Sequence, residues 1–221
     1  APDFVGMCDN LAFSLALYSG QMCTAPQTIL VPAGGIDSDL GHKTPDEVGR
    51  GLADALDRLL ADPARAAGVL GAVANPATAA RMEALRQGAR VIRDGRPMLL
   101  GAEMGDRVAE GECFGPVAFL MPCADAETAV AHATALARER GAITAALYDT
   151  DEARIARAIP AFARAGVNLS INLTGAIYVN QSAAFSDFHV TGANPAGNAC
   201  LTDPAFVVPR FTRAMWRRQI A

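Results

Sequence analysis

A cysteine near the start of the chain lies in a sequence suited to presenting a nucleophile. Cys23 ends the motif Gly20-Gln21-Met22-Cys23, which separates a stretch with helical spacing from the apolar run at residues 27–31. Glycine gives this turn conformational freedom, so the thiol can face a substrate while its own amide N–H points at the developing oxyanion. The pattern predicts that Cys23 is a covalent nucleophile. The alternative is that Cys23 is a small buried hydrophobic residue.

Charge and composition restrict the partners that this chain can bind. Its 221 residues are 51% hydrophobic and carry a formal net charge of −4 at pH 7. This acidic balance gives no electrostatic basis for binding nucleic acid or an anionic membrane. Residues 10–36 carry no charge, but their serines and prolines argue against a bilayer helix. They favour a buried helix that leads into a buried strand.

The other cysteines predict a reducing compartment. The chain has five cysteines, an odd number without a C-x-x-C pair, which is typical of reduced thiols in a cytoplasmic protein. Cys8 shares a predicted helical face with Leu11 and Leu15, as a core residue does. Cys123 and Cys200 have no basic partner in sequence that would lower their pKa.

The hydrophobic pattern predicts alternating helices and strands that would position these residues. Helices are predicted over residues 4–18, 45–60, 76–87, 125–138 and 151–162, and strands over residues 27–31, 98–100, 117–121, 143–147 and 167–171. Thr44-Pro45 and Asn75-Pro76 are helix start signals, with a capping side chain before a first-turn proline. The alternation predicts a three-layer α/β fold, with a mostly parallel sheet covered by helices on both faces.

Common ligand-binding motifs are missing from the sequence. There is no G-x-G-x-x-G after a strand and no P-loop lysine, so the chain has no dinucleotide phosphate fingerprint. His42, His132 and His189 are far apart in sequence, and we predict no metal site. His132 lies among alanines on a predicted helix, where we expect it to pack or to face solvent.

A second motif follows about ninety residues after Cys23 and leads into a predicted strand. Its sequence is Glu112-Cys113-Phe114-Gly115-Pro116. The two motifs together, in this order and at this spacing, resemble the aldehyde dehydrogenase superfamily, which carries a Gly-Gln-x-Cys nucleophile motif and a later Glu-x-Phe-Gly-Pro motif. The resemblance extends along nearly the whole chain and implies the catalytic domain of that family.

The resemblance implies a role for each matching residue. Cys23 would attack an aldehyde as a thiolate, and hydride transfer from the resulting thiohemiacetal to NAD or NADP would leave a thioester. Glu112 would accept hydrogen bonds from the ribose hydroxyls of the cofactor, and Phe114 would pack beside the ribose or the nicotinamide ring. Taken alone, Glu112 is also consistent with a turn or helix-cap carboxylate. Cys113 occupies a position that is often aliphatic in the family, so we expect it to pack in the core.

The last part of the sequence narrows the resemblance. Residues 166–172, 179–189 and 191–196 depart from the usual Pro-Phe-Gly-Gly ending and resemble the aldehyde dehydrogenases of aerobic phenylacetate degradation. That subgroup is linked to oxidation of a semialdehyde formed after ring opening of a coenzyme A thioester. The resemblance therefore implies an aldehyde or a CoA-thioester semialdehyde as substrate. Val190 stands where this subgroup would carry glycine.

The resemblance also implies parts of an enzyme that these residues do not contain. We expect residues 1–221 to form the thiol-bearing catalytic domain, with a cofactor-binding domain upstream and absent from the chain. The general-base motif Glu-Leu-Gly-Gly and the side-chain amide that completes the oxyanion hole have no counterpart here. The isolated chain is therefore expected to be inactive in NAD(P)-linked oxidation, and the complete enzyme to be a homo-oligomer.

Three other functions are compatible with parts of this pattern. The chain could be a natural stand-alone protein that kept the fold and lost redox chemistry. It could be a binding or assembly module, because family members pair through the catalytic domain and the charge-poor stretches suit an interface. A cysteine hydrolase would need a histidine base near Cys23.

Overall fold

The computed structural model describes residues 1–175 and 214–216 of the chain. The sequence motifs at residues 179–189 and 191–196, together with His189 and Cys200, lie outside these residues. The helices are α1 (Phe4–Ala16), α2 (Pro45–Leu60), α3 (Pro63–Leu70), α4 (Pro76–Gly88), α5 (Ala126–Arg140) and α6 (Glu152–Arg164). The strands are β1 (Thr28–Pro32), β2 (Ile36–Ser38), β3 (Gly41–Lys43), β4 (Arg90–Arg93), β5 (Met98–Gly101), β6 (Val117–Cys123), β7 (Thr144–Leu147), β8 (Asn168–Ile171) and β9 (Ala214–Trp216).

Side-chain caps define where several helices begin. Thr44 accepts a hydrogen bond from the backbone N–H of Glu47, whose carboxylate accepts from Thr44 in return, so a complete capping box starts α2. Asn75 caps α4 and Asp125 caps α5 through their side-chain oxygens. Each cap satisfies an N–H group that the helix itself leaves without a partner.

A four-stranded sheet in the order β1-β6-β5-β4 lies at the centre of the fold. β1 and β5 both run parallel to β6, and β4 pairs antiparallel with β5 at the edge. Thr28 of β1 is in register with Phe119 of β6. This register places the residues before β1 beside the residues before β6, which are the two sequence motifs.

Both faces of this sheet are buried under helices. On one face, Leu99, Ala118 and Leu120 pack in a core with α1 and α2. On the other face, Leu100 and Phe119 pack with residues of α4 in a second core, which also includes Cys113. Helices on both faces of a largely parallel sheet confirm the predicted three-layer α/β fold.

A second sheet, in the order β7-β8-β9, is parallel throughout. Residues of α5 and α6 pack against β7 and β8 in a third core. β1 and β7 line a common cleft of about 1250 Å³. A short antiparallel hairpin, β2 and β3, completes the described strands. Among the described helices, none has both the length and the apolar character required to cross a membrane.

Every predicted helix and strand is found with small changes at its ends. The first helix ends at Ala16 instead of residue 18, because the chain then enters a left-handed turn. The sequence analysis did not predict α3, β4, β9 or the β2–β3 hairpin.

Candidate active site

A left-handed turn carries the chain from α1 to Cys23. Tyr18, Ser19 and Gly20 have φ angles of 49°, 55° and 65°. This region disfavours residues other than glycine, because the Cβ atom crowds the backbone. Two non-glycine residues in succession therefore store local strain, which is typical of sites whose surroundings fix an unusual backbone. After this turn, residues 22–24 line the large cleft.

Gly20 brings the two sequence motifs into direct contact. A Cβ atom added at Gly20 would lie 2.3 Å from the carbonyl oxygen of Gly115 and 2.7 Å from its carbonyl carbon. The backbone of the cysteine motif therefore packs on the backbone of the second motif, with no room for a side chain. Both the positive φ and the close approach require glycine at residue 20.

Gln21 fixes the other side of the turn. Its side-chain amide donates to the carbonyl oxygens of Tyr18 and Ala72, both at 2.8 Å. Its oxygen accepts from the backbone N–H of Ala74 at 2.7 Å. These bonds attach the turn before Cys23 to the segment between α3 and α4. They use both N–H hydrogens and the oxygen of the Gln21 amide.

Cys23 is the exposed cysteine of the four that the structure describes. A hydrogen bond of 2.9 Å from the N–H of Ala25 to the carbonyl oxygen of Met22 closes a turn around it. Burial of the thiol raises the pKa of Cys23, and a hydrogen bond from its own backbone amide acts in the opposite direction. The thiol is thus accessible but largely protonated at neutral pH.

The other described cysteines are buried, as predicted for Cys8 and Cys113. Cys8 is 1% exposed, and its burial raises the pKa of the thiol to about 12. Burial also raises the pKa values of Cys113 and Cys123. Accessibility therefore distinguishes Cys23 from the other three thiols.

The second motif forms a loop whose residues alternate between core and cleft. Cys113 is 4% exposed and packs in the core, whereas Glu112 and Phe114 on either side of it are exposed. Glu112 and Phe114 line the same cleft as Cys23. Phe114 is 48% exposed, which is unusual for a large apolar side chain and offers a flat surface to a ligand. The structure therefore places Cys23, Glu112 and Phe114, which the sequence analysis singled out, along one cleft.

Two further side chains hold this loop in place. Gln27, at the entrance to β1, hydrogen-bonds the loop backbone at Ala109, Gly111 and Cys113. Glu110 accepts from the backbone N–H of Gly105 at 2.8 Å and lies 2.7 Å from Nε2 of His132 on α5. The side chain of Glu110 is 9% exposed, so this contact joins the loop to α5 from within the protein.

The two histidines that the structure describes, His42 and His132, each have a carboxylate partner. His42 on β3 contacts Asp37 on β2 at 3.0 Å, and His132 contacts Glu110. His132 is therefore neither simple packing nor a solvent-facing side chain. Within residues 1–175 and 214–216, no group of three His, Cys, Asp or Glu side chains is arranged to hold a metal ion.

The sequence analysis missed Gln21 and Gln27. Both flank Cys23 in sequence, and both bind backbone groups from segments 51 to 86 residues away. A glutamine next to a candidate nucleophile was the available signal, but no local pattern identifies its distant partners.

Comparisons with known proteins place this chain in a family. Residues 2–197 match the model of the aldehyde dehydrogenase family. A 3,4-dehydroadipyl-CoA semialdehyde dehydrogenase from Aromatoleum evansii is 30% identical, over 73% of this chain and 34% of that protein. The crystal structure of an NAD-dependent aldehyde dehydrogenase from Burkholderia multivorans is 45% identical with a TM-score of 0.81, and the match covers 95% of this chain and 40% of that one.

A more distant match shows the fold alone. It is the NADP-dependent glyceraldehyde-3-phosphate dehydrogenase from Bacillus halodurans C-125 in complex with NADP, which is 21% identical with a TM-score of 0.59. This match covers 79% of the present chain and 36% of that structure. The chain thus spans between a third and two fifths of the length of these relatives.

Proposed function

The chain belongs to the aldehyde dehydrogenase family, and we propose that residues 1–221 are the catalytic domain of an enzyme that oxidises an aldehyde or a CoA-linked semialdehyde with NAD or NADP. One observation carries the proposal. Exposed Cys23, Glu112 and Phe114 line one cleft, and the backbone contact between Gly20 and Gly115 fixes their two motifs against each other. A nucleophile and a cofactor-binding loop that are locked together can place a thiol beside a reactive cofactor atom.

Cys23 supplies the covalent step. Its Sγ adds to the carbonyl carbon of the aldehyde, the thiol proton leaves to a base, and the carbonyl oxygen becomes an oxyanion. The backbone N–H of Cys23, which already hydrogen-bonds its own thiol, is in position to donate to that oxyanion. Because burial raises the pKa of the thiol, the reaction needs a base that removes the proton when substrate is present.

Glu112 and Phe114 fit a nicotinamide cofactor. An exposed carboxylate accepts hydrogen bonds from the two hydroxyls of a ribose, and an exposed aromatic ring packs on a sugar or a planar heterocycle. These two side chains would hold the nicotinamide end of the cofactor, which would supply a hydride acceptor, so that the acyl group would remain on the sulfur of Cys23 as a thioester. Water or another acyl acceptor then releases the acid or acyl product from Cys23.

The substrate class is inferred from the relatives and the sequence. The Aromatoleum evansii relative is a 3,4-dehydroadipyl-CoA semialdehyde dehydrogenase, and residues 179–189 and 191–196 resemble the phenylacetate-degradation subgroup. The relative supports a CoA-linked semialdehyde as the substrate, and the sequence resemblance supports an origin in phenylacetate or related aromatic degradation. We further propose that the enzyme works in the cytoplasm as a homo-oligomer, and that a separate domain of the complete enzyme holds the phosphates of the cofactor.

The experiment assays the complete enzyme against a panel of free aldehydes, free semialdehydes and CoA-linked semialdehydes with NAD and with NADP. We expect reduced cofactor to form fastest with a semialdehyde, and Cys23→Ser to abolish its formation. Cys123→Ser is the matched control, because Cys123 is buried and its loss leaves the nucleophile intact. Oxidation that persists in Cys23→Ser, or a complete absence of oxidation across the panel, would contradict the proposal.

A further inference from the structure

Gln27 lies four residues after Cys23 and immediately before β1, and its side chain binds the loop that carries Glu112. Its Nε2 donates to the carbonyl oxygens of Gly111 at 2.8 Å and Ala109 at 3.2 Å. Its Oε1 accepts from the backbone N–H of Cys113 at 2.7 Å. The amide therefore uses both donor hydrogens and its acceptor on one loop.

These bonds bracket Glu112. Gly111 and Cys113 are its immediate neighbours in the chain, and Gln27 holds the carbonyl of the first and the N–H of the second. Fixing the peptide groups on both sides of a residue fixes the direction of its Cα–Cβ bond. The Glu112 side chain itself is exposed, so its position depends on how this backbone is held.

The backbone of Gln27 is anchored in the central sheet. Its carbonyl oxygen accepts from the N–H of Phe119 at 2.7 Å, and the next residue, Thr28, begins the register of β1 with β6. Phe119 is 1% exposed, so the anchor lies in the packed core. Gln27 thus connects a rigid part of the fold, close in sequence to Cys23, with the exposed loop of Glu112.

We propose that Gln27 is a positioning residue for the cofactor: it sets the orientation of Glu112 relative to Cys23 through the backbone at Gly111 and Cys113. The inference rests on the proposed cofactor role of Glu112. Without the side-chain amide of Gln27, the loop keeps its core contact through Cys113 and its packing against Gly20. The loop therefore remains in place, but the carboxylate no longer has a single orientation.

The test uses Gln27→Met in the complete enzyme, because methionine keeps the length of the side chain and removes its hydrogen bonds. The measurements are the Kd of NAD and of NADP by calorimetric titration, and the rate of Cys23 alkylation by iodoacetamide. We expect the Kd of the preferred cofactor to rise about tenfold or more, since small displacements of positioning groups have large effects. The alkylation rate of Cys23 should change by less than about twofold, because the side-chain hydrogen bonds of Gln27 go to the backbone of the Glu112 loop.

Gln87→Met is the matched control. Gln87 bonds only a side chain of its own helix α4, with 3.1 Å between its Nε2 and Oε1 of Glu83, on an exposed surface. It should leave both measurements unchanged. If Gln27→Met does not fold, Gln27→Glu decides the question, because it keeps the shape and the acceptor while losing both donors.

A double variant separates this inference from the proposed function. If Gln27 acts through Glu112, Gln27→Met combined with Glu112→Gln should bind the cofactor no more weakly than Glu112→Gln alone. A weakened Glu112→Gln together with an unchanged Gln27→Met would overturn only the role of Gln27. An unchanged Glu112→Gln would overturn the cofactor role of Glu112 itself, and additive effects in the double variant would show that Gln27 does not act through Glu112.

Discussion

At Cys23, exposure to solvent favours reaction of the thiol, whereas its raised pKa disfavours the reactive thiolate. The residue is exposed in the cleft, yet burial of its sulfur raises the pKa of the thiol. Burial has the larger influence on its titration, and a hydrogen bond from its own amide opposes it. A thiol in this state is protected from indiscriminate oxidation, because the thiolate is the reactive form. Its reactivity then depends on a base that acts only when the site is assembled.

The pKa shift predicts how the alkylation of Cys23 depends on pH. Because the folded pKa is raised above the ordinary value of 9.0, the thiolate fraction should still rise about tenfold per pH unit between pH 7 and pH 9. Substoichiometric iodoacetamide followed by peptide mapping measures the rate at each cysteine. Cys23 should react first, and Cys8, with a pKa raised to about 12, should react only after unfolding. A plateau below pH 9, or faster labelling of Cys113, would show that this account is wrong.

At the scale of elements, the turn between α1 and Cys23 depends on one glycine. Gly20 combines a φ of 65° with a backbone oxygen 2.3 Å from where a Cβ would lie. Any side chain would have to displace Gly115, and with it the loop that carries Glu112. A substitution at Gly20 would therefore displace the backbone of both motifs.

Gly20→Ala should lower the free energy of unfolding by about 1–2 kcal/mol from backbone strain, and by about 1–3 kcal/mol more from the clash. Urea unfolding measures the total loss of stability, and two control variants separate the strain from the clash. Gly41→Ala, at φ 82° with nothing within 4 Å of the new Cβ, should show the strain alone. Gly68→Ala, inside α3 and also in open space, should be stabilising by about 0.5–1 kcal/mol. Equal losses for Gly20→Ala and Gly41→Ala would mean that the contact with Gly115 is not tight.

Elements with strong local signals could be predicted from the sequence. α2 begins at Pro45 with the capping box that Thr44 and Glu47 form, and its buried side chains recur at helical spacing. α3 has only eight residues and none of them is buried, so its sequence is too short to show a convincing apolar period. Its start signal, Asp62 before Pro63, was nevertheless the same as the one at Thr44.

Short strands and distant contacts could not be predicted in the same way. β2 and β3 have three residues each and lie largely exposed, which is too short to show alternation. Cys23, Glu112 and Phe114 were identified through the two motifs, and the structure places them in one cleft. The bonds from Gln27 to the Glu112 loop span 82 to 86 residues, so they depend on the parallel pairing of β1 with β6, a long-range feature.

At the scale of the whole molecule, the residues proposed for catalysis and for contact with the cofactor lie in one cleft of the described fold. Glu112 and Phe114 offer contacts to a ribose and a planar ring, whereas the sequence contains no glycine-rich phosphate-binding loop. The chain is acidic, with a net charge of −4, which disfavours a doubly charged pyrophosphate. Relatives that bind NADP or use NAD are more than twice as long as the matched part.

The last prediction follows from this division. The isolated 221-residue chain should be alkylated at Cys23, yet it should neither bind NAD or NADP tightly nor oxidise an aldehyde. The proposed nucleophile is exposed, but the family resemblance implies a side-chain oxyanion donor that these residues do not supply, and loss of one such donor raises the barrier by about 2.7–4 kcal/mol. Without phosphate contacts, Glu112 and Phe114 alone would have to offset the entropy that a flexible dinucleotide loses on binding. Calorimetric titration of the isolated chain and of the complete enzyme, under the same conditions, makes the comparison. Micromolar cofactor affinity in the isolated chain would contradict this prediction. Labelling of Cys23 in an isolated chain that binds the cofactor far more weakly than the complete enzyme does would support it.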